Sequence, residues 1–260
     1  KASIERYLGG AVLKCDNTNY YVTPFNPPRN VELHREITSM VLSSTALYVG
    51  YATVPGVVDV LNPNTLGVIN TFEAWGGNDK VIALALSSTA LYVMYWTPDV
   101  IDILDLNMLR RINFFRVSYE HYAIATLAAS STALYIGYDT YPGTIDVLDL
   151  NTLKRINTFE APHGHNRIYA LAASSTALYV GYATAPGVID VLNPNTLDVI
   201  RTFNASSGHN YVTALAASST ALYVAYYTTP GIIDVLNPST LESIINVSPC
   251  CGGFVVSNGG

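Results

Sequence analysis

The sequence predicts an all-β fold, a β-propeller of four-stranded antiparallel blades, on three observations. The segment Ser-Ser-Thr-Ala-Leu-Tyr recurs from Ser43, Ser87, Ser130, Ser174 and Ser218, at intervals of 44, 43, 44 and 44 residues. Each interval divides into four short runs, rich in the β-branched and aromatic residues that fit a pleated surface better than a helix. Turn-forming residues separate these runs at hairpin distances. Four strands in about 44 residues is the period of one propeller blade. A parallel β-helix is the rival, but its rungs are shorter and lack hairpin turns.

The best preserved unit, Ala170 to Phe203, shows the elements in order, from the axis outward. Strand a is Ala170-Leu171-Ala172-Ala173, and its alanines suit the crowded centre of a propeller. Strand b is Leu178-Tyr179-Val180-Gly181-Tyr182, reached through a Ser-Ser-Thr-Ala turn. Tyr48, Tyr92, Tyr135, Tyr179 and Tyr223 share one position of b and are expected to fill the wedge between blades. Strand c is Val188-Ile189-Asp190-Val191-Leu192, entered after Pro186-Gly187. Strand d, Asp198 to Phe203, follows Asn193-Pro194-Asn195-Thr196, where proline takes the position of a type I turn that its fixed φ favours.

The ends are less regular. Ile4-Glu5-Arg6-Tyr7-Leu8 reads as an isolated strand d followed by Gly9 to Leu13 as a strand a. Tyr20 to Thr23 then resembles b, Val31 to His34 stands for c or d, and Cys251 to Val256 reads as a last strand a. Dividing 260 by 44 favours six blades in one domain, with residues 1–37 a divergent blade and closing strand, 38–247 five regular repeats and 248–260 a closing strand. Seven blades are the alternative, the last shared by both termini. A third arrangement places a terminal strand in a neighbouring molecule and gives a filament.

Composition narrows the partners. Charged residues are 12% of the chain and hydrophobic ones 50%, with mean hydropathy +0.27. An average soluble domain carries roughly 25% charge. The apolar runs are short and cut by Ser-Ser-Thr, Pro-Gly and Asn-Pro, far from the roughly 20 residues of a spanning helix, so no membrane insertion is expected. Net charge −6, four lysines and no basic cluster leave nothing to neutralise a nucleic-acid backbone. Cys15, Cys250 and Cys251 lie near the two ends. A bridge from Cys15 to Cys250 or Cys251 would join the termini in an oxidising compartment, and three reduced buried thiols are the other reading. Lys1, without an initiator Met or an apolar leader, reads as the start of a processed product. Asn204 and Asn246 head N-glycosylation sequons, which fit secretion.

The run Leu178-Tyr179-Val180, then Val188-Ile189-Asp190-Val191-Leu192-Asn193, then Asp198-Val199-Ile200-Arg201-Thr202-Phe203 resembles the YVTN-type β-propeller repeat and more distantly WD40. Tyr20-Tyr21-Val22-Thr23 comes nearest to the namesake tetrapeptide. The likeness extends over residues 40 to 247. The chain departs from it with Ser-Ser-Thr-Ala where Ser-Pro-Asp-Gly is usual, and with Gly-Tyr after Tyr-Val in place of Thr-Asn. The resemblance implies secreted or surface proteins of archaea and bacteria, often adhesive or of surface-layer type, and transfers no catalytic residue.

In an up-and-down blade the a–b and c–d turns lie on one side of the disc and the b–c and d–a loops on the other. The turns repeat almost unchanged, while the loops vary. Loops on a rigid scaffold are the usual place for binding, so the loop side is the expected recognition face, with Trp75, Trp96, Tyr119, His121, Tyr141, His163, His165, Arg167, His209 and Tyr211 as its candidate residues. Unconstrained drift is the competing explanation of that variation. No metal site is assigned: His163-Gly164-His165 has no paired carboxylate. Asp59, Asp102, Asp146, Asp190 and Asp234 recur in strand c, away from the axis, and are expected to accept structural hydrogen bonds.

Nothing in these residues makes a catalytic constellation. The function expected is a secreted or cell-surface, non-enzymatic structural or adhesive scaffold, without cofactor, self-assembling through its terminal strands or binding a surface glycan or protein. A carbohydrate-binding module built on the loop-face aromatics is the alternative. A channel-metal hydrolase is a further one, although it needs inward Asn, Asp or Glu where these inner strands offer mostly Ala, Leu and Thr.

Overall fold

The computed structural model describes residues 36–75, 77–97, 100–117, 124–162 and 164–244, together with the backbone of five strands towards the two ends. Three of those strands, β1 (Ile4–Leu8), β2 (Ala11–Asp16) and β3 (Asn19–Thr23), pair antiparallel in the order β1-β2-β3. This corrects the reading of Ile4 to Leu8 as an isolated outer strand followed by an inner one. Leu8 pairs with Ala11, so two residues separate β1 from β2, the spacing of a hairpin and not of a link between blades. Val31 to His34 lies outside the described residues.

Four regular blades follow, each an antiparallel meander. The first is β4 (Ile37–Leu42), β5 (Leu47–Tyr51), β6 (Val57–Leu61) and β7 (Val68–Glu73), and the second β8 (Val81–Leu86), β9 (Ala90–Tyr95), β10 (Val100–Asp105) and β11 (Arg111–Arg116). The third is β12 (Ile124–Ala129), β13 (Ala133–Tyr138), β14 (Thr144–Asp149) and β15 (Arg155–Glu160), and the fourth β16 (Ile168–Ala173), β17 (Leu178–Tyr182), β18 (Val188–Leu192) and β19 (Val199–Asn204). The fifth has β20 (Val212–Ala217), β21 (Leu222–Tyr226) and β22 (Ile232–Leu236), extended by a single bridge from Leu236 to Ser243. Last come β23 (Asn246–Cys250) and β24 (Gly253–Ser257), paired as a hairpin. Cys251 lies outside the described residues, as do the side chains of Cys15 and Cys250.

Among the described residues the propeller thus has five blades, where chain length favoured six with seven as the alternative. Division by 44 counts every residue as part of a repeat. Among the described residues, those from 36 to 244 carry the turns and packing that define the unit.

Two side-chain devices explain why the turns hardly vary. The hydroxyl of Ser174 accepts from the N–H groups of Thr176 and Ala177 at 3.3 and 3.0 Å, and Ser43, Ser87, Ser130 and Ser218 do the same in their own blades. These bonds satisfy the donors of a tight turn from within it. In the c–d turn, Asn193 Oδ1 accepts from Asn195 and Thr196, and Leu197 N–H returns to the Asn193 carbonyl at 2.9 Å. Leu66, Leu109, Leu153, Leu197 and Leu241 all stand at φ between 50° and 64° there. A branched side chain rarely occupies that region. Burial of Leu109, Leu197 and Leu241 offsets the cost.

The cores lie between blades. Tyr179 and Ile189 of the fourth blade pack with Val212, Val224 and Tyr226 of the fifth, and Tyr48, Val58 and Phe72 of the first with Val81, Leu84 and Val93 of the second. Strand b supplies the hole into which the next blade's strand a fits. A Cβ built on Gly50 would come within 2.6 Å of Val81 Cγ1, and one on Gly181 within 2.4 Å of Val212 Cγ1. The wedge tyrosines behave as expected in four blades, at 1–3% exposure, and Tyr135 and Tyr179 donate to the carbonyls of Pro194 and Pro238 in the following blade. Tyr223, at the same position of the fifth blade, is 45% exposed.

Candidate functional site

At the first–second, third–fourth and fourth–fifth junctions the b–c connection of one blade and the d–a loop leading to the next lie side by side in one loop face. Gly56, Gly143 and Gly187 donate backbone N–H bonds to the carbonyls of Asn78, His165 and His209 at 3.2, 3.1 and 2.7 Å. The position that follows by two residues also bonds across, Trp96 N–H to Lys80 and Ala183 N–H to Arg167.

Beneath this face each of the first four blades buries one carboxylate, and the fifth holds Asp234 half-buried. Asp59 accepts from Tyr51 Oη at 3.0 Å and Thr71 Oγ1 at 2.6 Å, and Asp146 from Tyr138 at 3.0 Å and Thr158 at 2.8 Å. Asp190 accepts from Thr202 at 2.6 Å, and Asp234 from Tyr226 at 2.9 Å. Burial pushes the phenols of Tyr51, Tyr95, Tyr182 and Tyr226 well up, and the adjacent carboxylates push them further, so these hydroxyls stay protonated. The structural role expected of the strand-c aspartates is what this geometry gives them.

The histidines belong to the same network. His165 Nδ1 stands 2.8 Å from Asp190 Oδ2 and His209 Nδ1 3.1 Å from Asp234 Oδ2, each 25 residues before its partner, with their rings tilted against Tyr182 and Tyr226. In the second blade Asn78 Nδ2 reaches Asp102 at 3.4 Å from the same place. The signal was present in the sequence: His34, Asn78, His121, His165 and His209 are spaced by 44, 43, 44 and 44 residues, the intervals of the serine turns. His165 and His209 therefore sit in the loop face with Nδ1 turned inward onto carboxylates. His121, His163 and Tyr119 lie outside the described residues.

The exposed candidates fall into two groups. Tyr141, Arg167 and Asp139 meet between the third and fourth blades, with the guanidinium carbon 4.9 Å from the Tyr141 ring centre and Arg167 Nε 3.2 Å from Asp139 Oδ1. Trp75 and Trp96, 70% and 63% exposed, flank the second blade. Beside Trp75 stand two residues that sequence reading passed over, Arg111 and Phe114 of β11. The Arg111 guanidinium lies 6.0 Å from the Trp75 ring centre and 5.6 Å from that of Phe114. Tyr211 is exposed alone on the loop towards the fifth blade.

Two clefts open on the opposite, turn face. One of about 280 Å³ is lined by the paired serines Ser87-Ser88, Ser130-Ser131 and Ser174-Ser175. The other, about 580 Å³, lies between the fourth and fifth blades, where Arg201 donates to the Ser239 carbonyl. Neither brings a nucleophile and a base together. Among the described residues no three His, Cys, Asp or Glu side chains are grouped to hold a metal ion.

The chain matches no family model, and no curated protein resembles it in sequence. Solved structures do share its architecture. One, titled "Structure of U3-55K", superposes with a TM-score of 0.63 over 87% of this chain and 70% of that one, at 14% identity, a likeness that shows the β-propeller fold alone.

Proposed function

We propose that this protein is a non-enzymatic propeller scaffold of the cell surface or extracellular space that associates with further copies of itself. The observation that carries the reading is the wedge face of the fifth blade, which no other described residue covers. Tyr223 and Ile233, 45% and 66% exposed, stand where their fourth-blade equivalents Tyr179 and Ile189 are buried. An apolar sheet face built like a blade interface is complementary to another blade face. The low charge of the chain adds to this, since little repulsion separates neighbours. The YVTN-type resemblance of the repeat and the exposed sequon residue Asn204 support the extracellular setting.

Sedimentation velocity of the full chain over a concentration series tests the association. Assembly growing with concentration is expected, and the pair Tyr223→Glu with Ile233→Lys should shift it to monomer. Monomer alone up to about 0.1 mM, a range in which even weak contacts register, would sink the reading.

A further inference from the structure

The second blade departs from the repeat at the position opposite its buried aspartate, and this departure brings an aromatic ring to the surface. In the first, third and fourth blades the residue opposite the buried aspartate is a threonine whose hydroxyl donates to it: Thr71 to Asp59, Thr158 to Asp146 and Thr202 to Asp190. In the second blade that residue is Phe114, paired in register with Asp102. Asp102 is fully buried and keeps Tyr95 at 3.0 Å, with Arg111 and Asn78 at 3.3 and 3.4 Å making up the remaining contacts. Burial raises the Asp102 pKa despite these partners. Losing the short hydroxyl bond weakens the support of a buried carboxylate, and the phenyl ring gains little burial in return, being 48% exposed. A departure from the local rule without a packing gain marks a functional position.

A second departure lies against the first. The d–a loop residue that is Pro162 or Ser206 elsewhere is Trp75, here 70% exposed. Between indole and phenyl stands Arg111, its guanidinium within cation–π range of both rings and anchored below by Asp102 at 3.3 Å. The carboxylate compensates the charge, so the patch offers two exposed rings and fixed N–H donors with no net charge to attract an ion.

We propose that Trp75, Phe114 and Arg111 form a binding site for an uncharged hexose unit of a glycan. The apolar C–H face of the sugar lies on the rings and its hydroxyls accept from the Arg111 guanidinium. A protein partner fits less well, since a stable interface needs about 800 Å² on each side and three side chains provide far less. An acidic ligand finds a cation already paired.

The chain reports this site directly, because Trp75 and Trp96 are its two tryptophans. In full-length Trp96→Phe, the emission of Trp75 is followed during titration with cellohexaose, mannohexaose, hexa-N-acetylchitohexaose and, as the charged comparison, a heparin-derived hexasaccharide. The expected result is a saturable blue shift with at least one of the three neutral sugars. Phe114→Thr, which installs the residue of the first, third and fourth blades and should fold at least as well, is expected to weaken that binding about tenfold or more, roughly 1.4 kcal/mol. Calorimetry with Trp75→Ala should show no binding. Saturation by the acidic sugar alone, no saturation by any neutral one, or unchanged affinity in Phe114→Thr each overturn the proposal. The titration is independent of self-association, which sedimentation decides separately.

Discussion

Residues 170–197 and 214–241 read ALAASSTALYVGYATAPGVIDVLNPNTL and ALAASSTALYVAYYTTPGIIDVLNPSTL, differing at five positions of the fourth and fifth blades. Their strands pair in the same register, with the same shift at the start of strand a. Yet Tyr179 and Ile189 are 3% and 0% exposed where Tyr223 and Ile233 are 45% and 66%. Identical side chains in identical local structure contribute differently because burial in a propeller comes from the neighbouring blade. A repeat sequence specifies the blade, while the position of the blade in the array specifies what each residue contributes to stability.

The widest gap should appear at the wedge tyrosines. Tyr179→Ala empties a site enclosed by the fifth blade and removes the bond to the Pro238 carbonyl, a loss of about 3 kcal/mol or more in urea unfolding. Tyr223→Ala at the half-open site should cost about 1 kcal/mol or less. Equal losses would mean that the fifth blade is covered in solution, by a further part of the chain or by another molecule. A concentration-dependent cost at Tyr223 alone would identify the cover as a second copy.

A smaller contrast of opposite chemistry belongs to the strand-b hole. Gly181→Val drives a branched side chain into Val212 and should destabilise by about 1–3 kcal/mol, with the two blades forced apart. At the equivalent position the fifth blade already carries Ala225, and Ala225→Val should change the unfolding midpoint little. A large penalty at Ala225 would show that the fifth blade too receives a knob from a following strand a.

Much of this was legible beforehand, and the boundary is physical. The serine turns, the strands of each blade and the role of the strand-c aspartates follow from local patterns, since Ser174 and Asn193 bond within three residues of themselves. Blade number was misread because the chain outside residues 36–244 has length without the repeat's turns, and β1 to β3 form one meander instead of parts of two blades. The bonds that His165 and His209 make are not visible locally because their aspartate partners lie 25 residues on, across three strands. Only the 44-residue register connects them. Arg111 and Phe114 escaped notice for a similar reason. Phe114 reads as one more aromatic in a β-strand until its equivalents in the first, third and fourth blades, threonines each bonded to an aspartate, show what it replaced.

The smallest effect should be the one that does not distinguish the blades. Ser174 and Ser218 accept the same two backbone N–H bonds, 3.3 and 3.0 Å from Thr176 and Ala177 in one blade and 3.3 and 3.0 Å from Thr220 and Ala221 in the other. All partners lie within the turn, so they do not depend on what lies beside the blade. Ser174→Ala and Ser218→Ala should each cost about 1 kcal/mol, and the two losses should agree to within about 0.5 kcal/mol in urea unfolding. If Ser218→Ala costs nothing while Ser174→Ala costs the full amount, the fifth blade frays before the rest unfolds. Its a–b turn would then depend on the neighbour as much as its wedge face does, and the separation of blade from array drawn from the tyrosines would fail.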